Sequence, residues 1–386
     1  MEEAEKQPLI TCTLTVETGA EKQDRVTAVL WDDKLSLGNH LELRLSSLSG
    51  IRAQNYRITI GAPQGEIVLS MIGHLYEDFS RRLISAYNEV LFNESLMKET
   101  VHFETQGFYT SPDGETSRAA LRICETALVV LPETHGLVRI PYCMVAQTDV
   151  EPYKFSITDR LGRSYLLSKM GYSTDAFLHA YRARLTELMR QTRDKLSEIA
   201  PADDRLAALL MEGLVQPFED IRAVSNRFAD ALTQKLSTSQ ISGEFGYLSS
   251  VSDDIAVGVK RGLMGELTGE SVLLLAPVFA KNILIMESLG DASAATYIFR
   301  LSANGTADKA QWRRFLMEFN DCMLSVNYRR EPIYLSDEAL RETRYETYAN
   351  ALRRVPALTR LRALFLGRAV HGGFEAWRNK IESFMQ

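Results

Sequence analysis

The chain has 386 residues, of which 45% are hydrophobic and 24% are charged, and its formal net charge at pH 7 is −6. This length exceeds what one ordinary hydrophobic core requires, so it predicts several globular domains. The acidic balance excludes a general electrostatic attraction for nucleic acid or anionic membranes. Binding of that kind would need a local cluster of basic residues.

The start of the chain, MEEAEKQP, is acidic and polar, unlike the basic region and apolar run of a secretory signal peptide. The longest nearly continuous apolar stretch, residues 272–280, is far shorter than the roughly 20 residues that cross a bilayer. The sequence therefore predicts a cytoplasmic protein without a transmembrane helix. The four cysteines are widely spaced and form no CxxC pair, which is typical of buried thiols.

The first half of the chain contains two copies of one pattern. Each copy has two alternating strands, YRITI with IVLSM or YKFSI with SYLLSK, and then an amphipathic helical stretch. An opening strand is predicted before each copy, in LITCTLTVE and in TVHFETQGFYT. The residues in register are Leu35 with Leu128, Tyr56 with Tyr153, Gly65 with Gly162, Gly73 with Gly171, and Phe79 with Phe177.

Strands, a hairpin, a glycine and then an amphipathic helix resemble the pleckstrin-homology-like (PH-like) domain, a barrel whose open end is plugged by its C-terminal helix. The resemblance assigns one PH-like domain to residues 1–98 and a second to residues 99–196. It implies a binding module without a catalytic site or cofactor, because such barrels usually recognise phosphoinositide headgroups, peptides or other domains. On this reading, Phe79 and Phe177 are equivalent plugs.

Headgroup-binding members of this family carry a lysine and arginine cluster on the first two strands and their connecting loop. Here the first loop offers Lys22 and Arg25 beside three acidic residues, and the second loop offers Arg118 beside two. A phosphorylated headgroup needs several converging cations, because one exposed ion pair contributes only about 0–1 kcal/mol. The sequence therefore favours recognition of protein over lipid.

The second half of the chain follows other patterns. Residues 197–240 have helical periodicity and predict a helical linker with a break at Pro217. Short apolar stretches rich in β-forming residues predict a third strand-plus-helix unit within residues 241–330, and its relation to the first two units stays open. Residues 331–386 predict a helical C-terminal region with Ser336 as an N-cap. The predicted fold class is α+β.

One locally basic segment lies in that C-terminal region. Between residues 351 and 380 the only acidic residue is Glu375. An amphipathic helix of this kind could contact nucleic acid, anionic lipid or an acidic partner, or its arginines could pair with acids elsewhere in the protein. The candidate contacts to an anion or a partner are Lys22, Arg25, Arg353, Arg354, Arg360, Arg362 and Arg368.

Sequence motifs for catalysis are absent. The six histidines show no HxH, HExxH or Cys/His spacing, so neither a metal site nor a cofactor is predicted. The stretch GVKRGLMGELTGES, residues 258–271, matches no phosphate-binding glycine motif and is interpreted as a flexible loop before a strand. We therefore expect a non-enzymatic interaction or scaffold protein that binds protein partners or self-associates. The alternative is a peripheral adaptor that binds anionic lipid or nucleic acid through basic patches.

Overall fold

The computed structural model describes residues 7–19, 21–39, 41–94, 96–252, 254–261, 270–290, 293–303 and 307–386. The chain divides into two compact units. The first comprises Met1–Arg184 with Thr343–Arg354, and the second comprises Leu185–Glu342 with Val355–Gln386. The fold is α+β with antiparallel sheets, of which one is curled into a half-barrel and the second and third are not closed. No helix in the described ranges is long and apolar enough to span a membrane.

The first sheet and its helix follow directly from the start of the described chain. They are β1 (Ile10–Thr18), β2 (Glu21–Leu30), β3 (Lys34–Leu37), β4 (Leu41–Arg44), β5 (Gly50–Gln54), β6 (Arg57–Ala62), β7 (Gly65–Ser70) and α1 (Tyr76–Asn93). Neighbouring strands lie in the order β4-β3-β2-β1-β7-β6-β5. The first strand therefore pairs with both the second and the seventh.

The second sheet repeats this arrangement. Its elements are β8 (Val101–Thr110), β9 (Thr116–Cys124), β10 (Ala127–Pro132), β11 (Val138–Pro141), β12 (Val145–Glu151), β13 (Lys154–Asp159), β14 (Ser164–Ser168) and α2 (Thr174–Ser197). Its order, β11-β10-β9-β8-β14-β13-β12, equals the first order with every number raised by seven. The predicted internal repeat is therefore confirmed at the level of strand order, including both predicted opening strands.

Both copies form because alternate strand residues face a core that the following helix also faces. In the second copy Phe155 and Ile157 of β13 are at most 2% exposed, and the ring of Phe177 lies 6.0 Å from that of Phe155. Phe79 and Phe177 are each 0% exposed, so the prediction that both are buried is confirmed. The four cysteines are buried and free, as predicted.

The remaining helices follow the second sheet. They are α3 (Asp204–Leu209), α4 (Phe218–Val224), α5 (Asn226–Ser237), α6 (Ser242–Val251), α7 (Lys309–Ser325), α8 (Glu331–Tyr334), α9 (Glu346–Arg354), α10 (Pro356–Leu364) and α11 (Phe374–Phe384). Of these, α9 belongs to the first unit and the others belong to the second. The predicted break at Pro217 is present, because α4 begins at the next residue. The five-part domain division stays a prediction.

A third antiparallel sheet lies in the second unit. Its strands are β15 (Gln216–Pro217), β16 (Ala256–Arg261), β17 (Glu270–Val278), β18 (Ile283–Gly290), β19 (Ser293–Arg300) and β20 (Phe365–Val370). They lie side by side in sequence order, which differs from the order of the first two sheets. On one face, Ile285, Ile298 and Trp377 belong to an apolar cluster that also includes residues of α6 and α11.

Two predicted segments differ from the structure. The C-terminal region is not helical throughout, since β20 pairs with β19, with Arg368 opposite Tyr297. Residue 367 of this strand is a glycine, and a Cβ there would lie 2.5 Å from the Phe384 ring. A larger residue at this position would therefore clash with Phe384. The predicted helix at Ser336 is also wrong, since its hydroxyl accepts a hydrogen bond only at the start of a short 3-10 turn, Ala339–Arg341.

The glycine-rich stretch that was predicted to be a loop begins inside a strand. Gly258 lies in β16, where a Cβ would come within 2.5 Å of the carbonyl oxygen of Gly213. Close backbone packing therefore explains this glycine. Gly262, Gly265 and Gly269 lie outside the described residues.

Candidate functional site

The first two predicted contact residues lie on β2 of the first unit. The ammonium group of Lys22 is 3.9 Å from the carboxylate of Glu17, and that carboxylate is also 3.6 Å from the guanidinium of Arg57. Arg25 has a φ of 58° beside an irregularity in the β1–β2 pairing. The Glu17 carboxylate thus lies beside the cations of Lys22 and Arg57, and its negative charge weakens their attraction for an anion.

The arginines of α9 make contacts within the first unit. The guanidinium of Arg354 donates hydrogen bonds to the carbonyl oxygens of Leu48, at 3.1 Å, and of Ser46. Burial lowers the pKa of this guanidinium. Arg353 donates a hydrogen bond to the side chain of Asn350 at 2.7 Å. Arg354 therefore holds α9 against the loop that follows β4.

The other three arginines lie in the second unit and have separate environments. Arg362 donates to two backbone carbonyls of α8, at 2.9 and 3.1 Å, and to the carboxylate of Asp337 at 2.7 Å. The guanidinium of Arg368 lies 4.9 Å from the ring centre of Tyr334. Arg360 borders a groove between α7 and α10. The arginines of the basic segment thus have different environments: Arg362 contacts a helix, Arg368 contacts an aromatic ring and Arg360 borders a groove.

A pair of exposed tyrosines occupies the same position in the first two sheets. Tyr56 is the second residue of the two-residue turn that joins β5 to β6, and Tyr153 is the second residue of the turn that joins β12 to β13. Their exposed fractions are 76% and 75%. The next residue in each case is basic, Arg57 or Lys154. The two hairpins therefore present a tyrosine and a cation at equivalent tips.

Both tyrosines have an unusual backbone conformation. The φ angle is 58° at Tyr56 and 64° at Tyr153. A left-handed conformation costs a residue with a Cβ about 1–2 kcal/mol, and glycine or asparagine usually fills such a turn position. A third tyrosine with positive φ, Tyr328, is buried, and its hydroxyl donates to the carbonyl of Gly213 at 2.9 Å. Packing explains that ring, but it does not explain the two exposed ones.

Further apolar side chains lie near the first tip. The ring of Tyr76 is 5.2 Å from that of Tyr56. Met71, the residue that follows β7, is 78% exposed. We call Tyr56, Met71 and Tyr76 the first tyrosine corner. It is an exposed apolar patch at the end of a hairpin.

The second copy also exposes apolar side chains, and only the hairpin tyrosine occupies the same position as in the first copy. Val150, on the strand that enters the hairpin, is 49% exposed, and Tyr172, in the 3-10 turn after β14, is fully exposed. We call Val150, Tyr153 and Tyr172 the second tyrosine corner. Aromatic side chains are enriched where proteins bind one another, because they bury much area with few rotatable bonds. The repeated corners are therefore the candidate functional site.

The corners were only partly visible in the sequence. The register of the two copies pairs Tyr56 with Tyr153, and each follows a turn-forming residue, Asn55 or Pro152. An aromatic residue where a turn usually has glycine or asparagine was the available signal. The exposure and the positive φ that give this signal its meaning come from the structure.

The second unit contains a buried polar network that the sequence did not predict. Glu287 of β18 is 0% exposed and accepts a hydrogen bond from the hydroxyl of Thr296 at 2.5 Å. The Nε2 atom of His371 is 2.9 Å from the Glu287 carboxylate, and its Nδ1 atom is 3.1 Å from that of Glu244. The indole of Trp377 donates to the Thr296 hydroxyl at 2.6 Å. The network therefore joins β18, β19, α6 and α11.

This network has the chemistry of a structural contact. The hydrogen bond to Glu287 raises the pKa of His371 and so favours the imidazolium between the two carboxylates. Thr296 is 0% exposed, which keeps its hydroxyl away from a substrate. Throughout the described part of the chain, no group of three or more histidine, cysteine, aspartate and glutamate side chains is arranged to hold a metal ion.

The chain was compared with protein families, curated proteins and solved structures. No protein-family model matches the chain, and no curated protein matches it. Among solved structures, the chain is similar to one described as the C-terminal domain of an unknown protein from Leishmania infantum. The two are 14% identical with a TM-score of 0.20, over 23% of this chain and 85% of that one. A similarity of this size supports no conclusion about fold or function.

Proposed function

We propose that the chain is a non-enzymatic interaction or scaffold protein, built on two PH-like barrels, whose tyrosine corners bind protein. The strand order supports the barrel part of the proposal. In each of the first two sheets, seven antiparallel strands form two meanders joined through the first and seventh strands, and a helix follows the seventh. This is the order of parts expected of a PH-like domain. We also propose that the protein is cytoplasmic, as expected from the sequence.

The observation that carries the proposal is the repeated tyrosine at a strained and exposed turn position. Unfavourable backbone conformations cluster at active sites, ligand clamps and switch regions, where the surrounding structure holds them. Tyr56 and Tyr153 gain little from burial within the chain, since each is about three-quarters exposed. A contact with another protein would bury both rings and would account for their presence in both copies.

The cations of the chain favour protein over an anionic surface. Lys22 lies beside Glu17, and Arg354 and Arg362 already donate to carbonyl oxygens of their own units. Binding of nucleic acid or of an anionic membrane requires several free cations on one surface. We therefore do not propose the adaptor function as a second candidate.

Site-specific photo-cross-linking tests the proposal. A photoreactive phenylalanine would replace Tyr56, Tyr153 or, as the control, Val370, whose side chain is 66% exposed on the third sheet. Each protein is irradiated alone and in an extract of its native cells. We expect discrete protein adducts from the two corner positions and none from position 370. Adducts of the purified protein alone would identify the partner as a second copy.

Two results would overturn the proposal. One is the absence of any adduct from both corner positions under conditions where the full-length protein is folded. The other is the same set of adducts from all three positions, which would show nonspecific capture. Sedimentation equilibrium of the purified protein provides an independent test of self-association.

A further inference from the structure

A groove of about 630 Å³ lies between α7 and α10 in the second unit. The α7 residues that line it recur every three or four positions and so form one stripe, which includes Arg314, Phe315 and Phe319. The facing stripe of α10 includes Arg360 and Leu361. Helices that pack closely interdigitate such stripes, whereas these two leave space between them at this level.

Part of the groove lining is apolar. Phe315, Ala357 and Leu364 line it and are partly exposed, whereas Phe319 and Leu361, at 2% and 4% exposed, contribute little accessible surface. The ring of Phe315 lies 6.2 Å from that of Phe319, and the two rings are nearly parallel. A tail made of methylene groups would bury its surface against these side chains, at roughly 25 cal/mol per Å².

The charged side chains of the groove favour an anion. Arg314 is 82% exposed, and its guanidinium is 3.2 Å from the carboxylate of Glu318, the acidic residue of the lining. Arg360 forms no ion pair with any carboxylate of the described residues. Two cations thus face one acid beside the apolar part of the lining. Arginine is well suited to hydrogen-bond a carboxylate, sulfate or phosphate.

We propose that this groove binds a single-chain amphiphile with one anionic headgroup, with Arg360 at the headgroup and the partly exposed Phe315 and Leu364 at the tail. The volume lies in the range of roughly 300–1,000 Å³ that is typical of small-molecule sites. The tail must enter the groove to reach its apolar walls, so the source is a free amphiphile and not a lipid held in a bilayer. This inference concerns the second unit and is independent of the tyrosine corners.

Titration calorimetry with four ten-carbon probes below their micelle concentrations tests the inference. They are decanoate, decyl sulfate, the uncharged decanol and the cationic decyltrimethylammonium. We expect both anions to bind at one saturable site and the other two to bind at least about tenfold more weakly, because they lose the charge-assisted hydrogen bond to arginine.

Two variants and one control locate the site. Arg360→Gln should weaken decanoate binding by about tenfold, because it removes the cation. Ala357→Leu places a larger side chain in the lining and should also weaken binding, with the charges unchanged. The control is Arg341→Gln, an exposed arginine in the same unit that does not line the groove. Should Ala357→Leu fail to fold, the Arg360→Gln comparison still decides.

Several results would overturn the inference. They are no binding of either anion, equal binding of decanol, wild-type affinity in Arg360→Gln, or an equal loss in the Arg341→Gln control. A protein that binds vesicles of phosphatidylglycerol but neither free anion would contradict the choice of a free amphiphile. Loss of cross-linking at the tyrosine corners would leave these binding results unchanged.

Discussion

Tyr56 and Tyr153 are the same residue of two copies of one sheet. Each closes a two-residue hairpin turn with a positive φ, and each leaves about three-quarters of its side chain exposed. Both copies thus have a tyrosine at a turn position whose backbone conformation is unfavourable for tyrosine. This combination distinguishes the two hairpin tips from Tyr328, where burial and a hydrogen bond explain the same conformation.

Replacing the exposed tyrosine by glycine should leave the fold intact. For Tyr153→Gly we expect a free energy of unfolding within about 1 kcal/mol of the wild type, because relief of the left-handed strain offsets the greater freedom of glycine in the unfolded chain. The matched control Tyr328→Gly should lose about 3 kcal/mol or more, since a buried ring is removed. Urea unfolding measures both. A similar large loss in the two variants would show that Tyr153 has a structural role.

Phe79 of α1 and Phe177 of α2 should make similar contributions to the free energy of unfolding. We expect Phe79→Ala and Phe177→Ala each to lower the free energy of unfolding by about 3–5 kcal/mol, the usual range for a fully buried phenylalanine. Tyr172→Ala, at a fully exposed position, should change it by less than about 0.5 kcal/mol. Denaturant unfolding gives these values. Mild effects at both phenylalanines would contradict their equivalence as plugs.

The buried network should make the second unit sensitive to pH. The groups that face His371 are Glu287, Glu244, Thr296 and Trp377. The hydrogen bond that His371 donates to the Glu287 carboxylate raises the folded-state pKa of His371 above its ordinary value of 6.5. The folded state therefore holds this proton more tightly than the unfolded state. Its contribution to stability is complete below about pH 6.5 and is lost as the pH rises through the raised pKa.

Urea unfolding across this pH range checks the expectation. The wild type should become less stable as the pH rises above about 6.5, and His371→Gln should lose most of that slope. An NMR titration of the His371 ring should give a pKa above the ordinary value. A wild type and a His371→Gln variant with the same slope would contradict the account of this network.

Arg354 should hold α9 on the first unit. We expect Arg354→Gln to speed amide hydrogen exchange within Glu346–Arg354, because the hydrogen bonds to the carbonyls of Leu48 and Ser46 are lost. Hydrogen bonds to a charged group contribute roughly 1.5–3 kcal/mol. Arg353→Gln is the control, since Arg353 contacts Asn350 of the same helix. Equal exchange in Arg354→Gln and the wild type would show that other contacts hold α9.

Much of the fold was predictable from the sequence because it depends on patterns among residues that are close in the chain. The alternation in β6 and β13 and the helical stripes that contain Phe79 and Phe177 each concern a few neighbouring residues. The β20 strand was missed for the opposite reason. Its pairing with β19 and the contact of Gly367 with Phe384 are nonlocal, whereas the nearby leucines and arginines have helical spacing.

The candidate sites were less predictable than the fold. The register of the copies identified Tyr56 and Tyr153, but only the structure gives their exposure and their φ angles. The network of His371 and Glu244 joins residues 127 positions apart, which no spacing rule detects. The basic segment was visible, yet its composition could not show that Arg354 and Arg362 make internal contacts while Arg360 borders a groove.

The most direct test of the tyrosine corners is the mass of the native complex, measured by light scattering for the wild type and for a Tyr56→Gly/Tyr153→Gly double variant. The complex comprises the chain with either a second copy of it or the partner identified by cross-linking. We predict that the wild type forms the complex and that the double variant, folded and equally stable, does not. A double variant that forms the same complex at the same concentration would contradict the central claim.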